Sequence, residues 1–126
     1  MWSAFAIVGC GGALGAMARY GTNLLLERRL GDFPLATLTV NVVGCLLLGT
    51  LLAVVEARPS LPDGWRLFLA VGILGSLTTF STFGAETIDL IRAKETGAAL
   101  LSIGGNLGLG LLAVALGRMV GKVFIS

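Results

Sequence analysis

The sequence predicts an all-α integral membrane protein. It expects four transmembrane helices per chain, the third broken in mid-membrane, and a simplest assembly of two chains as an antiparallel dual-topology homodimer. Three observations lead there. The 126 residues are 56 % hydrophobic and 13 % charged, against about 25 % charge in a soluble domain, and the mean hydropathy is +0.93. The apolar residues gather into four runs, each close to the roughly 20 residues that cross a bilayer. The basic residues divide evenly between the two sides that four crossings would create.

The chain reads as a single transmembrane domain, residues 1–126, with spans at about 3–26, 34–55, 65–91 and 97–120. The first run resembles a secretory signal, but no Lys or Arg precedes it, so a first membrane helix is expected. Gly11 and Gly15 make a small-xxx-small pair suited to close helix packing. Glu27 to Asp32 forms a short charged loop, and Pro34 stands near the start of the second span, where proline is tolerated. Pro59 and Pro62 mark the loop from Glu56 to Asp63. The third span is interrupted: from Ser76 to Thr82 it carries hydroxyls at 76, 78, 79, 81 and 82, with Gly75 and Gly84 on either side. Lipid offers such groups no partners, so a helix break facing protein, water or an ion is expected there. The last span carries Ser102, Asn106 and Gly110 at steps of four, and Gly104 with Gly108 as a second small-xxx-small pair. That face fits a helix contact or a pore lining. Cys10 and Cys45 lie in apolar segments without metal-type spacing and are expected as buried structural thiols.

Four features inside the spans are open to two readings each. Arg19 lies seven residues before the end of its span at Leu26, about 10 Å deep; it either snorkels to the interface or sits at a pore vestibule. Asn41 shares a face with Thr37 and serves either as glue between helices or as a donor to an anion. Phe80 and Phe83 share a face with Ser76, and their positive ring edges either pack in the ordinary way or meet a small anion. Glu86 follows Thr79 and Thr82 at steps of three and four, as an interfacial carboxylate or a mouth residue.

Composition excludes several classes of function. There is no histidine, no nucleophile–base pair and no phosphate loop, so an enzyme is not expected. No basic run points to nucleic acid. A small ion suits a four-helix chain better than a large solute.

The motifs Gly15-Ala16-Met17-Ala18-Arg19-Tyr20, Thr37-Leu38-Thr39-Val40-Asn41 and Gly75-Ser76-Leu77-Thr78-Thr79-Phe80-Ser81-Thr82-Phe83 resemble those of the Fluc (CrcB) family of microbial fluoride channels, in the same order and over the whole chain. The resemblance implies a passive fluoride exporter of the bacterial or archaeal cytoplasmic (inner) membrane that relieves fluoride toxicity. It implies an antiparallel, dual-topology homodimer with two pores, needing only the lipid bilayer and itself. Asn41, Phe80, Phe83, Ser81, Thr82 and Glu86 would then line the fluoride path, and Arg19 would stand at the vestibule. The carbonyls of Gly75 and Thr78 would hold a structural sodium ion at the dimer interface. The family often has Tyr and Ser where this chain has Ser102 and Asn106, so the contribution of the fourth span departs from the pattern. Two other readings compete. A small dual-topology proton-coupled multidrug exporter needs an acid in the first span, which here carries Arg19 instead. A non-conducting membrane accessory subunit would copurify with partners and pass no ion.

Orientation follows the difference in basic residues between the two sides. Arg58, Arg66, Arg118 and Lys122 stand on one side, and Arg28, Arg29, Arg92 and Lys94 on the other, four against four. The simplest consequence is insertion in both directions; the alternative is that the balance is coincidental and the insertion machinery sets one orientation. A compartment-sensitive reporter fused to the C-terminus should signal from both sides of the membrane. Strictly one-sided signal would rule out dual topology.

Overall fold

The computed structural model describes residues 2–26, 33–123 and 125. All the regular structure in them is helical. The first helix is Trp2–Leu26 and the second is Leu35–Ala57. The third stretch runs from Asp63 to Arg92 and the fourth from Thr96 to Val123. The second, third and fourth are long and apolar enough to cross a membrane, which makes this a multi-pass membrane protein. The first helix, with five glycines and Arg19, is less apolar. The loop from Glu27 to Asp32, with Arg28 and Arg29 of the charge balance, lies outside the described residues.

Two of the four stretches contain a turn of π-helix, Leu67–Leu74 in the third and Gly105–Leu109 in the fourth. Such turns insert one extra residue per turn and re-aim the side chains beyond them. The turn between third and fourth helices is closed by the N–H of Glu95 bonding to Leu90 O (2.9 Å) and that of Lys94 to Ile91 O (3.0 Å). Lys94 takes φ 63° there, the left-handed position that ends a helix and usually falls to glycine.

The helices pack as two parallel pairs, and glycine sets both. A Cβ on Gly11 or Gly15 would collide with the backbone of Phe68 or Ile73 in the third stretch. Gly72 faces Gly11 so closely that its own Cβ would come 2.9 Å from the Gly11 Cα. In the other pair, Gly49 meets the Val114 backbone, Gly117 that of Leu46 and Gly121 that of Thr50. Along each pair the partner numbers rise together, in the second from Leu38 with Gly105 to Thr50 with Gly121. The first and third helices therefore run the same way, as do the second and fourth, as alternate crossings of a membrane require. Of the glycine pairs read from the sequence, Gly11 and Gly15 are at a helix contact. Gly104 and Gly108 have open space around them, because the π turn swings the packing face to Gly105 and Gly110, against Leu38 and Cys45.

Polarity is inverted relative to a soluble fold. Thr37 and Ser102 are among the most deeply buried side chains, and the apolar core is small: Val40, Leu74 and Leu77. Trp2, Phe5, Leu100, Leu101, Leu111 and Val123 face outward, an apolar coat suited to lipid rather than water. Cys10 is exposed and Cys45 half-buried, both as free thiols, so the expectation of two buried thiols is corrected. Gly11 and Gly15 set the packed face of the first helix, and Cys10, about 100° round from Gly11, falls on its outer face. At the end of the second pair, Arg118 donates two hydrogen bonds to Glu56, at 2.9 and 2.8 Å, joining the helix ends.

Gly117→Ala should lower the stability of the purified protein in detergent by about 1–3 kcal/mol, the usual penalty for overpacking, while Gly9→Ala, with open space around it, should not lower it. Equal thermal unfolding midpoints for the two variants would contradict the packing.

Candidate functional site: the interrupted third helix

Residues Gly75–Leu77 are helical, Thr78 and Thr79 are extended (ψ 151° and 115°), and a new helix runs over Phe80–Arg92. The local sequence favours this. Thr79 is a good N-cap: its Oγ1 accepts the N–H of Thr82 (3.2 Å) and donates to Thr82 Oγ1 (2.9 Å). On the other side, the hydroxyl and the N–H of Thr78 both donate to Leu74 O, at 3.0 and 3.2 Å.

An extended pair between helices leaves backbone groups without helical partners, and among apolar helices each such group needs another. Asn41, on the second helix, supplies them. Its Oδ1 accepts the Thr79 N–H at 2.8 Å, and its Nδ2 donates to the Thr79 carbonyl at 3.1 Å. One side-chain amide thus pairs with both polar groups of one backbone residue, as a neighbouring strand would. Nδ2 donates again, to Asn106 Oδ1 on the fourth helix, at 2.7 Å. Gly44, one turn along from Asn41, leaves room for the Thr78 methyl group, which a Cβ there would strike.

The rewiring reaches two carbonyls. In an unbroken helix Gly75 O would receive the Thr79 N–H, and Thr78 O that of Thr82. Here those N–H groups go to Asn41 Oδ1 and Thr79 Oγ1. Gly75 and Thr78 therefore present carbonyls released from the helical pattern.

A cavity of about 280 Å³ opens at the break, lined by Asn41, Gly75, Thr78, Phe80, Phe83 and Asn106 among others. The rings of Phe80 and Phe83 meet edge to face, with centroids 5.4 Å apart and planes at 63°. Phe83 is buried, whereas Phe80 is 76 % exposed on the surface of the single chain. Ser76 lies before the two extended residues, near Gly12 of the first helix, so the helical face expected to join it to Phe80 and Phe83 is cut by the break.

The remaining candidates, Ser81, Thr82, Glu86, Arg19 and Ser102, do not line this cavity. Ser81 is exposed, with its hydroxyl 3.4 Å from that of Thr79. Glu86 accepts a 2.8 Å hydrogen bond from the Thr37 hydroxyl and borders a second cavity of about 340 Å³ with Asn23, Asp89 and Glu95. Arg19, half-buried, continues the Gly11–Gly15 face at the next step of four and lines neither cavity. Ser102 is fully buried, and its hydroxyl has no partner among the described residues; its carbonyl accepts the Asn106 Nδ2 at 3.0 Å. Sequence reasoning missed the pairing of Asn41 with Thr79 and with Asn106. The signal was available: Asn41 and Asn106 lie at similar depths in spans that cross in the same direction.

A family model, described as CrcB-like protein, Camphor Resistance (CrcB), matches residues 6–118. The chain belongs to the CrcB family. Among its curated relatives is a fluoride-specific ion channel FluC of Acidobacterium capsulatum, 44 % identical over 120 residues, covering 94 % of this chain and 96 % of that one. Another, from Pasteurella multocida, carries the same name and is 47 % identical over 114 residues (90 % and 88 % covered). A third, from Thermus thermophilus, also so named, is 43 % identical over 123 residues (97 % and 98 %). The matched region of this CrcB chain includes the break, Asn41, both phenylalanines and Asn106.

Asn41→Leu, similar in size, should lower unfolding stability by about 1–3 kcal/mol, because it strips both polar groups of Thr79 of their partner. Unchanged stability in a denaturation series in detergent would refute the pairing.

Proposed function

We propose that this CrcB chain is a fluoride-selective ion channel that lets fluoride leave the cell passively across the cytoplasmic membrane. The observation that carries the reading is one cavity at an interrupted helix, in a chain whose close relatives are named as fluoride channels. In it an amide, hydroxyl-bearing residues and two aromatic rings packed edge to face against each other converge. Fluoride is small and tightly hydrated, so selectivity requires groups that replace its water in a bore too narrow for larger halides. Ring edges carry positive charge, and in a dry passage they meet an anion without trapping it as a full cation would. Phe80 and Phe83 take that role, with Asn41, Ser81, Thr82 and Glu86 as the polar side of the path and Arg19 as a positive vestibule residue. The membrane potential supplies the drive, about 2.3 kcal/mol per charge per 100 mV, so no pump is needed and the protein is not an enzyme.

The working unit in this reading has four spans per chain, the break at mid-membrane, and two copies inserted antiparallel. The outward position of Phe80 beside the break and the balance of basic residues support it. The released carbonyls of Gly75 and Thr78 suit a sodium ion, since unwound helix carbonyls are hard oxygen ligands; two copies meeting at their breaks would present both pairs together. Bound sodium would supply a fixed positive charge that holds the two breaks together and favours anions nearby.

Purified protein in fluoride-loaded liposomes should release fluoride rapidly once a potassium ionophore clamps the voltage, with chloride retained in parallel vesicles. Phe80→Ile and Asn41→Asp should slow release by at least about tenfold, a barrier change of about 1.4 kcal/mol, with the oligomer intact on size exclusion. Retention of both ions by the unaltered protein would refute a fluoride channel, and full flux in both variants would refute the pore assignment.

A further inference from the structure

The fourth helix holds a side chain that none of these roles uses. Asn106 sits in the π turn Gly105–Leu109 and closes a chain of hydrogen bonds whose two ends are both backbone. At one end the Ser102 carbonyl can only accept, so Asn106 must turn Nδ2 toward it (3.0 Å). That turns Asn106 Oδ1 toward the second helix, where Asn41 Nδ2 donates to it (2.7 Å). At the other end the Thr79 N–H can only donate, so Asn41 must turn Oδ1 toward it (2.8 Å). The remaining Nδ2 hydrogen of Asn41 then falls to the Thr79 carbonyl (3.1 Å). The two backbone anchors agree: reversing either amide would set two donors or two acceptors against each other.

We propose that Asn106 is a positioning residue, which orients the Asn41 amide and through it holds Thr78 and Thr79 in their extended register. Three elements are joined by one chain of polarity, from the fourth helix through the second to the interruption in the third. The parallel packing of the second and fourth helices makes this possible, because Asn41 and Asn106 then meet at one level while Gly49 and Gly117 hold the backbones close. Without an acceptor at 106, Asn41 loses the partner that fixes its side-chain torsion and the amide is free to turn. Thr79 then exchanges its partner for none. The inference deepens the proposed function, since the register of the break sets where Phe80 and Phe83 stand, but its test requires no ion.

The test is amide hydrogen exchange at the Thr79 N–H, followed by NMR on isotope-labelled protein in lipid nanodiscs. In the unaltered protein Thr79 should be protected. Asn106→Leu, close in size but without an acceptor, should speed exchange at Thr79 by about tenfold, the loss of roughly one hydrogen bond, with the Ala113 amide farther along the fourth helix unchanged. Asn106→Gln, which keeps both the amide nitrogen for the Ser102 carbonyl and the amide oxygen for Asn41, should restore part of the protection. Wild-type protection in Asn106→Leu, or equal loss of it in Asn106→Gln, would overturn the proposal. Should Asn106→Leu fail to fold, Asn106→Ala takes its place under the same criteria. Unaltered protein that protects Thr79 yet passes no fluoride would refute the channel reading and leave the positioning role standing.

Discussion

The structure depends on the pairing of the Asn41 side chain with the backbone of Thr79. An interruption in a helix among apolar neighbours survives only when the freed N–H and C=O groups find partners, because each costs roughly 1–3 kcal/mol if left bare. Asn41 meets both groups of one residue, and Thr79 itself caps the helix that restarts at Phe80. Everything near the cavity follows. Phe80 and Phe83 lie where the restarted helix puts them, and the Gly75 and Thr78 carbonyls are released because their usual donors are engaged elsewhere.

The pairing in turn requires the second helix to lie at a fixed depth and rotation. Glycine provides this. Gly44 admits the Thr78 methyl, while Gly49, Gly117 and Gly121 lock the second helix to the fourth backbone to backbone. Lipid supplies no hydrophobic drive between helices, so close van der Waals contact and internal hydrogen bonds must hold them. That is why small residues, glycine and alanine with threonine and serine, fill much of the interior while many of the leucines face out. The arrangement reads as a polar, tightly packed frame around one deliberate irregularity.

Much of this was legible in the chain as written. That the long apolar runs are helices followed from their hydrophobic length, since backbone satisfaction in a bilayer leaves few alternatives at that size. The hydroxyl cluster from Ser76 to Thr82 marked the interruption, and Gly11 with Gly15 marked a helix contact. Other readings failed for a shared reason. Joining Ser76 to Phe80 and Phe83, or treating Gly104 and Gly108 as a packing pair, assumed a helix of unbroken 3.6-residue period. The extended residues 78–79 and the π turn at Gly105–Leu109 change that period at those places.

By itself, then, the sequence determined the class of solvent, the all-helical character, and which stretch could not be an ordinary one. These depend on composition and local spacing, which the chain carries without reference to its fold. Only the tertiary structure decided that Asn41 clamps Thr79, that Asn106 orients Asn41, and that Thr37 reaches Glu86. Each of those bonds joins residues 38 to 65 positions apart. Their partners are chosen by how two parallel helix pairs are rotated and set in depth, which is fixed by glycine contacts between backbones and not by any local pattern.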